Sequence, residues 1–375
     1  MIYLLMFLLS FILLLLAESK NIQYRFIRNL CGFFALAMPI MMAALRAETV
    51  GTDMRVYVIP FYEKAVVSNT FEELYSVFNF QLLSDPGYFM LTWLCSRISE
   101  DYHVGLFFYE LIIICFFYGA LIRYKRAIGI KISIPFAMLW FYLLCFNQSL
   151  NIVRQMIAVS IIFFATSFLF ERKYRQYVIW SVLAVLMHSS AVISLAIGAM
   201  FIFLNSDKIM TDKKALRKGI VFIIALCIII FFSDSGIRYL VNHRILRANY
   251  LNYLSGGEYQ TTRVAISTLI APSLYFFFAL LNYNSMKNKN RNSLFLLMCV
   301  FMYFMASFGS GISTYLSRFS FYFVPFVILT LGEEVESIPV KYKGQWKLFF
   351  TSLLGIFWVF EILIRNYGET IPYLW

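Results

Sequence analysis

Three polar side chains interrupt sequence otherwise fit for lipid. Arg154 and Gln155 open one apolar run, residues 152–170, and His188 lies inside another, residues 177–204. A charge within a transmembrane helix costs about 2.5–3.5 kcal/mol on insertion scales, so it usually serves a site, a partner or a pathway. Arginine grips phosphate oxygens in bidentate fashion and keeps its charge where the dielectric is low. Histidine titrates near neutrality and can act as a general base. The combination suits a pyrophosphate or an anionic sugar handled beside a proton acceptor.

Further candidates flank these three. Arg46, Asp53 and Arg55 follow the second apolar run, Asp85 opens an Asp-Pro-Gly-Tyr stretch, and Arg318 begins the run 319–331. Each arginine alone also reads as an interfacial side chain that snorkels to the membrane surface. His188 keeps two readings: a packed histidine donating to a carbonyl, or a general base at the helix break that Ser189 and Ser190 invite. Asn151 is a plausible N-cap for the helix that carries Arg154. Most of the abundant Tyr and Phe read as lipid-facing or interfacial belts, and outer tyrosines such as Tyr57, Tyr62 and Tyr88 are of a type that can stack on sugar rings, with nothing in the sequence to select among them.

The elements that must position these residues are membrane helices. Only 14% of the 375 residues are charged, against about 25% in soluble domains, and 61% are hydrophobic. The excess forms long runs at 1–17, 30–45, 104–122, 132–146, 152–170, 177–204, 219–232, 264–281, 294–308, 319–331 and 348–364. Several approach the ~20 residues needed to cross a bilayer, and lipid requires the backbone to satisfy itself as helix. The fold class is therefore all-α: a polytopic integral membrane protein of about ten to twelve transmembrane helices. With no linker or repeat, residues 1–375 form a single membrane domain. The first run lacks a basic leading region and is read as a retained helix.

The net charge of +12 does not call for nucleic acid. The basic residues cluster in short loops at 20–28, 123–131, 171–175, 208–218 and 287–291, where the positive-inside rule places them in the cytoplasm against anionic membrane lipids. The longer segments 46–86 and 233–263 then become external loops. Residues 88–98 are too short to cross and dip into the outer leaflet. The 28-residue run 177–204 starts and ends beside basic loops, yet cannot make two full crossings. Either it enters, breaks near His188 and returns, as broken helices do where they line a wet cavity, or it is one long tilted helix, which would put the 208–218 cluster outside; the break is the favoured expectation. Both termini then lie outside, and the conspicuous polar residues fall on the outer face.

Some chemistries are missing from the sequence. There is no GxxxxGK[ST] phosphate loop, no HExxH and no Asp-x-Asp pair. The six cysteines are scattered without a CxxC and read as packing residues. No metal and no cofactor is expected, with arginine rather than Mg²⁺ neutralising a pyrophosphate.

In order along the chain stand Val50-Gly51-Thr52-Asp53 with Tyr57, Asp85-Pro86-Gly87-Tyr88, and Asn151-Ile152-Val153-Arg154-Gln155-Met156-Ile157-Ala158. Then come Leu183-Ala184-Val185-Leu186-Met187-His188-Ser189-Ser190-Ala191, Arg318-Phe319 with Tyr322, and Ile371-Pro372-Tyr373. This series resembles the EpsG-like family of exopolysaccharide proteins, related in role to Wzy-type repeat-unit polymerases. One departure is Asp85, where the family pattern leads one to expect Glu.

The resemblance implies a glycosyltransferase of the bacterial cytoplasmic (inner) membrane that polymerises repeat units of O-antigen, capsule or exopolysaccharide. Its substrate would be an undecaprenyl-pyrophosphate-linked oligosaccharide, and its partners a flippase and a chain-length regulator of the same pathway. On this reading Arg154 and Arg318 hold the donor pyrophosphate, His188 or Asp53 accepts the proton, and Gln155 and Asp53 orient the acceptor. Arg46, Arg55 and Asp85 complete the substrate-binding set. Two alternatives differ in their marks. A ligase or other lipid-linked glycosyltransferase would be expected to use a histidine in a large external loop, where His103 and His243 are the loop-near histidines. A flippase would show two related halves, and none are evident.

Overall fold

The computed structural model describes residues 2–76, 85–206, 211–243, 251, 266–287, 292–308 and 318–375. Every regular element among them is helical. Helices α1 (Ile2–Glu18) and α2 (Arg25–Ala44) form an antiparallel pair, followed by a π turn at Met54–Val58, α3 (Ile59–Val67) and α4 (Phe71–Ser76). Next come α5 (Pro86–Ser96), α6 (Tyr102–Arg126), α7 (Ile134–Phe141), α8 (Asn147–Asn151), α9 (Val153–Phe170), α10 (Tyr174–Met187) and α11 (Ile193–Leu204). The remainder comprises α12 (Asp212–Phe231), α13 (Ser233–Asn242), α14 (Ile266–Lys287), α15 (Ser293–Phe308), α16 (Val324–Ser337) and α17 (Val340–Trp358).

Among the described residues, four helical stretches are long and apolar enough to cross a membrane: Arg25–Ala44, Tyr102–Arg126, Val153–Phe170 and Val340–Ile364. Three shorter apolar helices, Ile2–Glu18, Ser189–Leu204 and Ser293–Phe308, accompany them. The outward faces of Ile2–Glu18, Arg25–Ala44 and Val340–Ile364 carry exposed Leu, Ile, Val and Phe, the surface expected toward lipid, whereas Val153–Phe170 is enclosed by its neighbours. Helix α9 runs through the middle, with α6 and α10 packed along it.

The helices run end to end between two poles. One pole holds the basic loops 123–131 and 171–175. Lys125 pairs with Glu18, Arg123 and Lys173 both pair with Glu171, and Lys343 and Lys347 pair with Glu336. At the other pole the chain ends converge, the Tyr3 hydroxyl donating to the Thr370 carbonyl at 2.7 Å.

Segment 46–86 is not a plain loop. Its residues 54–76 are largely helical and fold against α5 and α6. Segment 233–263 opens as helix α13, and residues 244–250 and 252–263 lie outside the described residues, as do 208–210 and 288–291 of the basic loops.

The run 177–204 is broken where His188-Ser189-Ser190 falls. Helix α10 ends at Met187, His188 adopts extended dihedrals (φ −157°, ψ 125°), and a 3₁₀ turn at Ser189–Val192 starts the return. Serine competes for the backbone with its own hydroxyl and so favours such junctions. The return leg comes back to the pole it left. The Tyr177 hydroxyl donates to the Ser194 carbonyl, and Phe201 packs on Phe170 at a centroid distance of 5.3 Å. Arg172, Tyr174, Asn205 and Ser206 then line one cavity at the basic pole. In a cysteine-free background, Arg172→Cys and Ser206→Cys are expected to react with an impermeant thiol reagent from one face, and Arg365→Cys from the other. Opposite-face labelling of positions 172 and 206 would mean that the chain crosses at His188 rather than turning back.

Candidate active site

The break at His188 frees backbone donors that lipid cannot satisfy, and a carboxylate from another helix supplies the acceptor. Asp85 accepts from the Ser189 backbone N–H at 2.8 Å through Oδ1. Its Oδ2 accepts from Arg154 Nη1 at 2.9 Å and lies 3.2 Å from His188 Nδ1. One side chain thus joins the start of α5, the first turn of α9 and the broken helix. The positive end of the returning helix adds to the attraction.

Asp85 itself stands in the left-handed region, at φ 56° and ψ 48°. A non-glycine residue held there costs roughly 1–3 kcal/mol, a kind of strain that clusters at functional sites. Pro86 follows at the first turn of α5, where its missing N–H is no loss. Gly87 then lets α5 approach the end of α10, since a Cβ at this position would stand 3.0 Å from both the Leu186 carbonyl and its Cβ. The Asp-Pro-Gly-Tyr sequence is thereby accounted for up to its tyrosine.

Tyr88 belongs to an aromatic wall around Arg154. The guanidinium carbon lies 4.1 Å from the Tyr57 ring centroid, 5.7 Å from Tyr88 and 5.8 Å from Phe61. Such faces stabilise a guanidinium whose hydration has been stripped away. One fifth of the Arg154 side chain remains exposed, and its Nε is a buried donor with no acceptor among the described residues. His188 is 15% exposed, and its contact with Asp85 through Nδ1 leaves Nε2 as the ring nitrogen turned away from that carboxylate. Half-buried Asp53 lies beside Tyr57 and within electrostatic reach of Arg154, Arg318 and His188.

Sequence-derived candidates divide into two groups. Asp53, Asp85, Arg154, His188 and Arg318 come together. Gln155 adjoins them but is 3% exposed, and its amide donates to the Arg318 carbonyl at 2.6 Å, so it fastens that segment to α9. Arg46 lies elsewhere, 1% exposed, with Nη1 on the Ala43 carbonyl and Nη2 on the Leu150 carbonyl. Arg55 points outward from the π turn and is exposed.

Two local expectations are corrected. Asn151 does not cap the α9 helix: it ends α8, Ile152 occupies the cap position, and the Asn151 side chain reaches Thr52 and Asp53 instead. Arg318 does not begin a helix running from 319 to 331, because a turn intervenes and α16 starts at Val324. Of the outer tyrosines, Tyr57 and Tyr88 flank Arg154, and Tyr62 donates to the Ser99 carbonyl at 2.9 Å. Missing from the candidates were Phe61, the Ser189 N–H and Tyr322, which bonds the Ser190 hydroxyl at 2.9 Å. The Ser189-Ser190 pair and the place of Tyr322 after Arg318-Phe319 carried a signal for two of them, and nothing did for Phe61.

The fold and this cluster define an all-helical membrane protein with a charged site at the pole opposite its basic loops. The EpsG family profile matches residues 29–375, nearly the whole chain, and the protein belongs to the EpsG family. No curated protein and no solved structure matches the chain.

Removing one partner of a buried ion pair strands the other charge, at a cost of about 3 kcal/mol. Asp85→Ala would leave Arg154, His188 and the Ser189 N–H unanswered together. Its thermal unfolding in detergent is expected several degrees below that of the parent, and Asp85→Glu between the two. Parent-like melting of Asp85→Ala would show that the carboxylate does not hold these three elements.

Proposed function

We propose that the protein polymerises lipid-linked oligosaccharide repeat units, as a Wzy-like glycosyltransferase with a polyprenyl-pyrophosphate donor. The observation that carries this reading is the Asp85–His188 contact beside Arg154, placed in a chain of the EpsG family. The ten or so spans expected from the runs, the bacterial cytoplasmic membrane and the outward-facing site belong to the same proposal. The gathering of basic loops at the opposite pole supports that orientation, since such loops stay in the cytoplasm.

In the proposed reaction a sugar hydroxyl of the incoming lipid-linked unit attacks the anomeric carbon of the growing glycan. The new C–O bond forms as the bond from that carbon to the pyrophosphate oxygen breaks. Asp85 holds the His188 ring through Nδ1, so Nε2 takes the hydroxyl proton, an orienting arrangement familiar from acid–base pairs. Arg318 and the open edge of Arg154 meet the charge that grows on the departing polyprenyl pyrophosphate. Asp53, on the same side, holds the acceptor by hydrogen bonding. Sugars, linkage and the choice among O-antigen, capsule and exopolysaccharide depend on the cluster of enzymes that supplies the unit.

A ligase using a loop histidine is the second reading, and the histidines bear on it. His103 pairs with Asp101 at the start of α6, and His243 lies against Tyr239 with the rings tilted. Neither contacts the charged cluster among the described residues, whereas His188 sits within it, which favours polymerisation.

His188→Ala and Arg154→Ala are each expected to reduce polymer about 10²–10⁴-fold, the span of a lost proton acceptor or charge stabiliser. Cells carrying either variant should display lipid cores capped by a single repeat. A long ladder from stably expressed His188→Ala would remove that residue from the chemistry.

A further inference from the structure

The Ile371-Pro372-Tyr373 stretch has no part in the reaction proposed above, yet it is bound tightly beside the cluster. The chain after the last helix folds back along residues 47–52. Glu369 and Gly368 carbonyls accept from the Gly51 and Thr52 N–H groups at 3.0 and 3.3 Å, and the Leu374 carbonyl accepts from Ala47 at 2.8 Å. Thr370 is fully buried: its carbonyl takes the Tyr3 hydroxyl, and its Oγ1 takes Asn147 Nδ2 at 2.9 Å. Asn147 in turn accepts from Trp358 Nε1 at 2.8 Å, and the Tyr373 hydroxyl donates to the Met42 carbonyl at 2.6 Å.

This strap presses on Asn151. Gly368 has φ +79°, and a Cβ there would lie 2.9 Å from Asn151 Nδ2. Asn151 Oδ1 accepts from the Thr52 hydroxyl at 2.6 Å and from the Asp53 N–H at 3.3 Å. The backbone of Asp53 is therefore fixed from two directions, by the side chain of Asn151 and by a neighbour, Thr52, tied to the strap. Asp53 is half-buried beside Tyr57, and its carboxylate lies within electrostatic reach of Arg154, Arg318 and His188. On the same strand, Tyr367 lies within electrostatic reach of Arg318.

The geometry points to Asn151, Thr52 and the strap at residues 368–373 as positioning residues that aim Asp53 into the site. This inference rests on the role given to Asp53 in the proposed function. None of these groups touches substrate in it. They act by holding one carboxylate in the register that the cluster needs, where a shift of about 1 Å can cost roughly 10²-fold.

The test uses full-length protein in the native host lacking its own copy, with polymer per molecule of enzyme read from the glycan ladder. Thr52→Val keeps shape and removes the donor to Asn151, while Thr52→Ser keeps the donor. Thr52→Val and Gly368→Ala are expected to lower polymer about tenfold or more, and Thr52→Ser to restore it. The melting temperature of purified Thr52→Val in detergent should equal that of the parent. Full polymerisation by Thr52→Val beside an inactive Asp53→Asn would overturn the positioning role and leave the proposed function standing. A loss that follows lowered melting and is not restored by Thr52→Ser would also overturn it. Normal ladders from Asp53→Asn would instead remove Asp53 from the reaction, and the positioning role with it.

Discussion

A carboxylate with 7% of its side chain exposed, in a protein built for lipid, must be answered from several sides, and Asp85 is. Arg154 neutralises it, His188 stands against it, and the Ser189 N–H fills its other oxygen. The dependence is mutual. Without the carboxylate the broken helix is left with an unsatisfied backbone donor, and the largely buried guanidinium of Arg154 loses its counter-charge. The strain of a left-handed Asp85 and the close approach at Gly87 are tolerated because three elements close on this group at once.

The surroundings of Arg154 follow the same logic. Its guanidinium is covered by Tyr57, Tyr88 and Phe61 and makes its ion pair with Asp85, so part of it stays open toward an anion. A cation held by aromatic faces and one carboxylate is stable in place and still electrostatically attractive. Arg46 shows the contrasting use of the same residue type. Buried against the Ala43 and Leu150 carbonyls, it ties α2 to the junction of α8 and α9, behind the site rather than in it.

Much of the architecture was legible along the chain. Apolar runs marked the helices, the basic loops marked one pole, and the 28-residue run with His-Ser-Ser at its centre marked the broken hairpin. Arg154 and His188 stood out because a polar group in lipid-grade sequence is costly enough to need a reason, and Asp53, Asp85 and Arg318 because they flank the apolar runs on one face. Arg46 looked the same by that criterion and was separated from them only by its partners. Asn151 likewise satisfied a capping pattern, yet its side chain serves residues 52 and 53 across 98 or more positions of sequence.

What the sequence determined by itself is what depends on local chemistry: which segments must be helical, where a helix must break, and which side chains are too polar to face lipid. The tertiary structure alone decided which of those polar groups share a site. Hydropathy is a property of each residue, while pairing a carboxylate with an arginine 69 positions away and a histidine 103 positions away requires the helices to be packed. The same holds for the strap at residues 368–373, whose hydrogen bonds to residues 47–52 exist only once both ends of the chain have reached one pole.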